Sequence, residues 1–370
     1  MDTQNAAPRI DHLEPTAAQR VLMTVSCRDS DPLPKVPGAG EVFDLDGASV
    51  QRMHNGLLIE EGCYFGPWMT EIIRALHGHH EPQEEVVFHS ILERLVASEP
   101  DATMVELGSF WAYYSMWFHQ RTGGNRVVCL EPDPTYLEVG RRNLALNGMT
   151  ATFVHGAVGD EPGSRTTFVA ESSGESVDVV QYDLASLMAE TGLDRVSLLL
   201  VDIQGFETVL LTRAVDLLRA GRVRFAVVST HHHQISGDAL THQHVRELLE
   251  SCGAHVIAEH TVGESYSGDG LIAVSFDERD RDFLVQVSHA RATESLFGEL
   301  EFDLARALDV AEENRRAAEE SRNEAAAARA ALDATLRSRT WRAGAPFRAV
   351  GRFVRRRRSG TPAPADRASG

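Results

Sequence analysis

The chain has 370 residues, enough for one full α/β domain with extensions, and a formal net charge of −18 argues against nonspecific nucleic-acid binding by its body. Its four cysteines (Cys27, Cys63, Cys129, Cys252) are scattered without CxxC spacing, which speaks for reduced thiols in the cytoplasm and against a disulfide framework. The N-terminus lacks the apolar core of a signal peptide, and no run of 18 apolar residues exists to span a membrane.

Residues 1–40 are polar and proline-containing and read as a flexible segment. Residues 41–100 read as an α+β cover. Asp46-Gly47 and Asn55-Gly56 turn a small β-hairpin region, WMTEIIRAL is a short helix, and a second helix opens near Pro82 with Glu84 and Glu85 in its first turn. Residues 101–280 alternate strand and helix. Core strands are expected at 103–108, 126–131, 151–156, 196–202, 224–230, 255–261 and 271–276, and helices at 112–121, 134–147, 206–220 and 240–252. A turn-rich insertion follows Val158, with an extra strand at 177–184 and a helix at 184–191. The run 196–202 is apolar on both faces, as a central parallel strand should be. Gly268-Asp269-Gly270 leaves too little chain for a crossover helix, so the last two strands pair antiparallel.

Residues 281–340 read as a long Ala-, Glu- and Arg-rich helix. Phe297, Leu300, Leu304, Ala311, Ala318, Ala325 and Leu332 form a weak heptad that suits a homo-oligomer or a solvated spacer. Residues 341–370 form a basic tail; LRSRTWRAGAPFRAVGRFVRRRR carries nine arginines and no acid, with Trp341, Phe347, Val350 and Phe353 interleaved. That pattern suits an anionic membrane surface or an acidic partner.

The sequence TMVELGSFWAYYSMWFHQ (103–120) passes from strand through Gly108 and Ser109 into an aromatic-rich helix, the turn at which doubly wound folds hold a nucleotide-like cofactor. Glu131 closes the next strand 23 positions beyond Gly108, near the offset at which an acid reaches ribose hydroxyls. The loop has one glycine and an acid before it. It therefore lacks the G-x-G-x-x-G cradle for a pyrophosphate and suits a cationic ligand such as S-adenosylmethionine. Glu106, Leu107, Gly108, Ser109, Glu131, Pro132 and the Gly156–Ala157 loop are the expected cofactor contacts. With the antiparallel end strand, this gives an α/β fold of the Rossmann-like class I methyltransferase type: a seven-stranded sheet, an N-terminal α+β extension and a long C-terminal helix.

Two further stretches converge on the same sheet edge. LLLVDIQGFE ends a buried strand at Asp202, followed by Gln204, Gly205 and Glu207, and AVVSTHHHQISGD leaves the neighbouring strand through His231 and His233. Adjacent strand ends lie about 5 Å apart, so these groups share a small volume. Three readings stand side by side: a histidine as general base for an acceptor hydroxyl, a divalent cation on Asp202, His231 and His233, or loop hydrogen bonds with Asp202 as a helix cap. His80 and Glu81 read as a lid over the substrate, which Gln204 and Glu207 also contact.

VELGSFWAYYS, LEPDP, NLALNG, AVGD and VDIQGFE together resemble the motifs of FkbM-type S-adenosylmethionine-dependent methyltransferases across about residues 50–276. Asp202, Gly205 and Glu207 match the family's D-x-E-G-x-E, with Gln204 where Glu is common and Ala112 where a later glycine is often found. The tail SRTWRAGAPFRAVGRF is similar to segments ending long helices in bacterial enzymes of surface-polysaccharide assembly. The resemblances imply an O-methyltransferase acting on a sugar hydroxyl of a cell-surface glycan or its precursor, cytoplasmic and peripheral at the inner face of the membrane. Alternatives are a polyketide or other secondary-metabolite acceptor, or a non-catalytic scaffold recruiting glycan-assembly enzymes through helix and tail.

Overall fold

The stretch expected to be flexible instead holds a helix, α1 (Pro15–Ser26), in the computed structural model of the chain, which describes residues 7–124, 126–290 and 299–344. Pro15 opens α1, and Val21 and Thr24 on its inner face are buried. Thr24 Oγ1 donates to the Tyr266 carbonyl at 2.9 Å, and Asp29 accepts the Ser288 N–H at 2.8 Å. A few buried side chains and two long-range hydrogen bonds thus anchor an arm whose average composition is polar.

Strands β1 (Val42–Leu45), β2 (Ala48–Arg52) and β3 (Leu58–Glu60) form a small antiparallel sheet, and α2 (Pro67–Ala75) and α3 (Pro82–Ser98) complete the N-terminal cover. The main sheet and its helices follow: β4 (Met104–Leu107), α4 (Tyr113–Thr122), β5 (Val127–Glu131), α5 (Pro134–Leu146), β6 (Thr152–Val158), β7 (Arg165–Val169) and β8 (Ser176–Tyr182). Then come α6 (Leu184–Thr191), β9 (Val196–Val201), α7 (Glu207–Arg219), β10 (Val223–Thr230), α8 (His233–Ser236), α9 (Thr241–Ser251), β11 (His255–His260) and β12 (Gly270–Ser275). The sheet order is β11-β12-β10-β9-β4-β5-β6-β8-β7. All seven expected core strands are present, and β12 lies antiparallel between β10 and β11. β7 and β8 extend the sheet to nine. β7 sits within the insertion read as turn-rich: an edge strand whose residues alternate between exposed and half-buried shows no apolar run. Every residue of β4, β5, β9 and β10 is buried, because helices cover both faces. One face packs Phe88, Tyr113 and Trp117 from α3 and α4; the other packs Leu184, Leu210 and Leu218 from α6 and α7.

At the amino end of β10, Arg224 is 2% exposed and binds Asp280 through two bonds, at 2.9 and 3.0 Å, and Glu99 at 3.0 Å. Residues 281–290, expected to begin the long helix, pack on this body instead: Phe283 and Val285 rest on the core, and the Val285 N–H donates to Ile257 O at 3.0 Å. Arg224→Met leaves the buried Asp280 without its main partner and is expected to cost about 3–5 kcal/mol. A fall in the urea midpoint measures it, and adding Asp280→Leu is expected to restore part of the loss.

Residues 293–370 form a separate unit. It holds α10 (Glu299–Arg337) and α11 (Arg339–Ala343), with Leu304, Ala311, Ala318, Ala325 and Leu332 all exposed. Phe297, Phe347, Val350 and Phe353 lie outside the described residues. Among the described residues no helix is long and apolar enough to cross a membrane.

Candidate active site

After β4 the chain turns at Gly108, whose φ is +78°. A Cβ there would sit 1.8 Å from the Asp202 carbonyl oxygen, while the Asp202 N–H donates to Leu107 O at 2.9 Å. The glycine lets the ends of β4 and β9 close on each other, a reason internal to the sheet. Phe110 and Ala112 also take left-handed backbone (φ +37° and +59°), which tightens the turn before α4. Glu106 is buried and accepts the Ser115 N–H at 3.1 Å as well as the Ser115 hydroxyl. Burial outweighs these bonds and pushes its carboxyl up to about 8. Glu131 accepts the Phe110 N–H at 3.0 Å and the Asp133 N–H at 2.9 Å, one on each oxygen, and burial pushes it up to about 7.

Ser109 is buried, and its hydroxyl, next to the Cys129 thiol, has no hydrogen-bond partner of ordinary geometry among the described residues. Phe110 stacks on Tyr136 with centroids 3.5 Å apart. The Pro132 carbonyl lies 2.9 Å from His155 Nε2. Gly156 and Ala157, read as a loop, lie within β6 opposite Val180 and Gln181; a Cβ on Gly156 would meet the Tyr182 ring at 2.5 Å. An orphaned hydroxyl, two buried carboxyls with lone pairs to spare and an aromatic face around one turn fit the ammonium, ribose and adenine of S-adenosylmethionine.

Across β9, His231 joins two acids. Its Nδ1 donates to Glu207 Oε1 at 2.8 Å and its Nε2 to Asp202 Oδ1 at 3.1 Å; Asp269 Oδ1 lies 3.9 Å from the same Nε2. Burial alone would lower this histidine, but the bonds to Asp202 and Glu207 prevail and raise it to about 11. His231, expected as the base, therefore holds its proton at neutral pH. Glu207, expected to touch substrate, is fully buried and also accepts the Gly205 N–H at 3.0 Å, so it positions His231. Gln204 is exposed in a left-handed bend (φ +49°). His233 is exposed, opens α8 and leans on His232 at 3.9 Å.

The expected metal set of Asp202, His231 and His233 is therefore not assembled: His233 turns away, and carboxylates occupy both His231 nitrogens. Among the described residues, ligand atoms lie within 4.8 Å of one another only for His54, His79 and Glu85, all buried. The His54 and His79 rings stack with 18° between their planes, so their in-plane lone pairs run side by side and do not converge on one ion.

His80 and Glu81, read as a lid, form a fixed wall. His80 is 1% exposed, and Glu85 Oε1 takes both its N–H at 2.8 Å and its Nδ1 at 2.6 Å. Its ring stands edge-on to Trp111, which stacks on Tyr64 at 4.4 Å. Burial would lower His80, yet Glu81 and Glu85 raise it to about 10. Sequence reasoning passed over Asp269 and Glu84. The register Thr230↔Gly270 sets Asp269 beside His231, and Glu84 accepts the Ser229 hydroxyl at 3.1 Å.

The family model of the methyltransferase FkbM domain matches residues 96–256. That stretch is similar to FkbM methyltransferase domains. The matched stretch contributes Glu106, Glu131, Asp202, Glu207 and His231, while His80, Glu81 and Glu84 come from the cover before it and Asp269 from the turn that leads into β12. Such a domain implies use of S-adenosylmethionine. Curated proteins offer no match. Among solved structures, WbdD aligns at 14% identity over 52% of this chain and 40% of its own, with a TM-score of 0.35. The METTL16 MTase domain aligns at 14% over 62% and 87% (TM-score 0.38), and a precorrin-6y C5,15-methyltransferase from Geobacter metallireducens GS-15 at 18% over 51% and 87% (TM-score 0.33). The chain thus spans well under half of WbdD.

Proposed function

We propose that the protein is an S-adenosylmethionine-dependent O-methyltransferase of a sugar hydroxyl in a cell-surface glycan or its precursor. The observation that carries this reading is the Asp202 carboxylate, 41% exposed and held at 3.1 Å by a buried imidazolium, beside the Glu106–Ser109 turn. S-adenosylmethionine supplies a methyl group activated by its sulfonium. Asp202 accepts the hydrogen bond of the acceptor hydroxyl and takes its proton on the way to solvent. His231, held protonated by Glu207, aims Asp202. A rim of carboxylates and hydroxyls suits a polyhydroxyl acceptor better than an apolar polyketide. The basic tail, outside the described residues beyond 344, would hold the enzyme at an anionic membrane surface.

Labelled-methyl transfer to nucleotide-sugar, lipid-linked and polymeric acceptors tests the reading; one glycan class is expected to be labelled. Labelling of polyketide acceptors alone would replace it with the secondary-metabolite reading. Cofactor binding carries its own sign. Glu106, at about 8, is mostly protonated at pH 7, and the methionine ammonium favours its ionised form. Binding S-adenosylmethionine at pH 7 is therefore expected to release about one proton, fading above about pH 9. Calorimetry in buffers of different ionisation enthalpy reads this, and no release would remove Glu106 as the ammonium contact.

A further inference from the structure

The space in front of Asp202 is short of positive charge. Asp202 and Asp269 each keep 41% of their side chain exposed and Glu81 keeps 18%, while Glu84, Glu85 and Glu207 stand close behind. Facing them are the imidazolium rings of His80 and His231, each already between two carboxylates, the His79 ring, whose Nδ1 is bonded to Glu85, and Arg20, whose charge acts on Asp269. Two carboxyls register the imbalance. Burial, with Asp202 and Glu81 adding and His231 opposing, pushes Asp269 up to about 6; burial, Glu81 and Asp202 push Glu84 well above the carboxylate range. An independent feature marks the same space. Tyr114 is 5% exposed, its ring lies 5.6 Å from that of His80, whose Nε2 is 3.4 Å from Glu81, and its hydroxyl has no hydrogen-bond partner among the described residues. A buried phenol of this kind calls for a polar ligand group.

S-adenosylmethionine adds a single net positive charge, which leaves the surplus only partly met. We propose that the acceptor carries a protonated amine, seated among Asp269, Glu81 and the Tyr114 hydroxyl, so that the substrate class is an amino sugar methylated on a neighbouring hydroxyl. This rests on the methyl-transfer reading above. Held between carboxylates, the amine keeps its proton and is no nucleophile. The hydroxyl oxygen forms the bond to the methyl carbon, the sulfur–carbon bond breaks with its electron pair left on sulfur, and the hydroxyl proton goes to Asp202.

The test uses the full chain saturated with S-adenosylhomocysteine. Calorimetry compares methyl α-glucosaminide, a cation at pH 7, with its neutral N-acetyl counterpart. The amine is expected to bind at least about tenfold tighter, a margin that shrinks in high salt. Asp269→Asn and, separately, Glu81→Gln are expected to weaken the amine about tenfold and leave the acetamide unchanged. Amine binding that is absent, or no tighter than the acetamide, overturns the proposal. S-adenosylhomocysteine binding, measured first, separates the two failures: its absence would sink the methyl-transfer reading itself, whereas normal binding with no amine preference sinks this inference alone.

Discussion

Gly108→Ala is expected to destabilise the fold by about 3 kcal/mol and to weaken S-adenosylmethionine binding by about 100-fold. Two costs combine. An alanine would have to hold φ +78°, which costs about 1–2 kcal/mol for any residue with a Cβ. Its Cβ would also overlap a backbone oxygen, that of Asp202, and a backbone atom cannot swing aside as a side-chain tip can. Because the Asp202 N–H is tied to Leu107 O, relief requires parting the ends of β4 and β9. Those two ends carry the cofactor turn and the Asp202 carboxylate. Gly163→Ala is the control: φ there is +83°, and no atom of the described residues lies within 4 Å of the added carbon. Urea midpoints and cofactor calorimetry should show a small loss for Gly163→Ala and a large one for Gly108→Ala. Equal effects would mean that strain alone is at work and that the strand ends have slack.

The sheet was legible because buried parallel strands leave continuous apolar runs, as VVCLE, VSLLLV and VRFAVVST show. α1 and β7 were illegible for the opposite reason: each buries few side chains, α1 being held by residues far along the chain and β7 by edge pairing with β8. At the site, the meeting of Asp202 with His231 followed from neighbouring strand ends. What the spacing did not reveal was the protonation state. That depends on Glu207, which α7 carries back beneath the turn so that one imidazole sits between two acids. His233 was separated from His231 by the start of α8, a boundary that three consecutive histidines do not mark. Asp269 was hidden in plain view: flanked by glycines, it read as a turn until antiparallel register placed it across from the end of β10.

The roles of Asp202 and His231 can be separated by one substitution. Asp202→Asn is expected to lower kcat by about 10²- to 10⁴-fold while S-adenosylmethionine affinity changes little. The amide keeps the shape of the side chain, so loss of rate would report the missing proton acceptor. The same change removes one of the two carboxylates that oppose burial at His231, and its pKa then falls from about 11 toward the neutral range. If the histidine were the base, this would free its Nε2 at neutral pH, and the variant would match or exceed the parent enzyme. The parent itself would then gain activity only as the pH rose through about 11, where the imidazolium gives up its proton. With Asp202 as acceptor, the parent's kcat/KM for S-adenosylmethionine instead climbs as Glu131 and Glu106 ionise, through about 7 and about 8, and stays level until His231 deprotonates. Rate–pH profiles of the two proteins therefore diverge in opposite directions under the two assignments. An active Asp202→Asn enzyme with a neutral-pH inflection would hand the proton to His231.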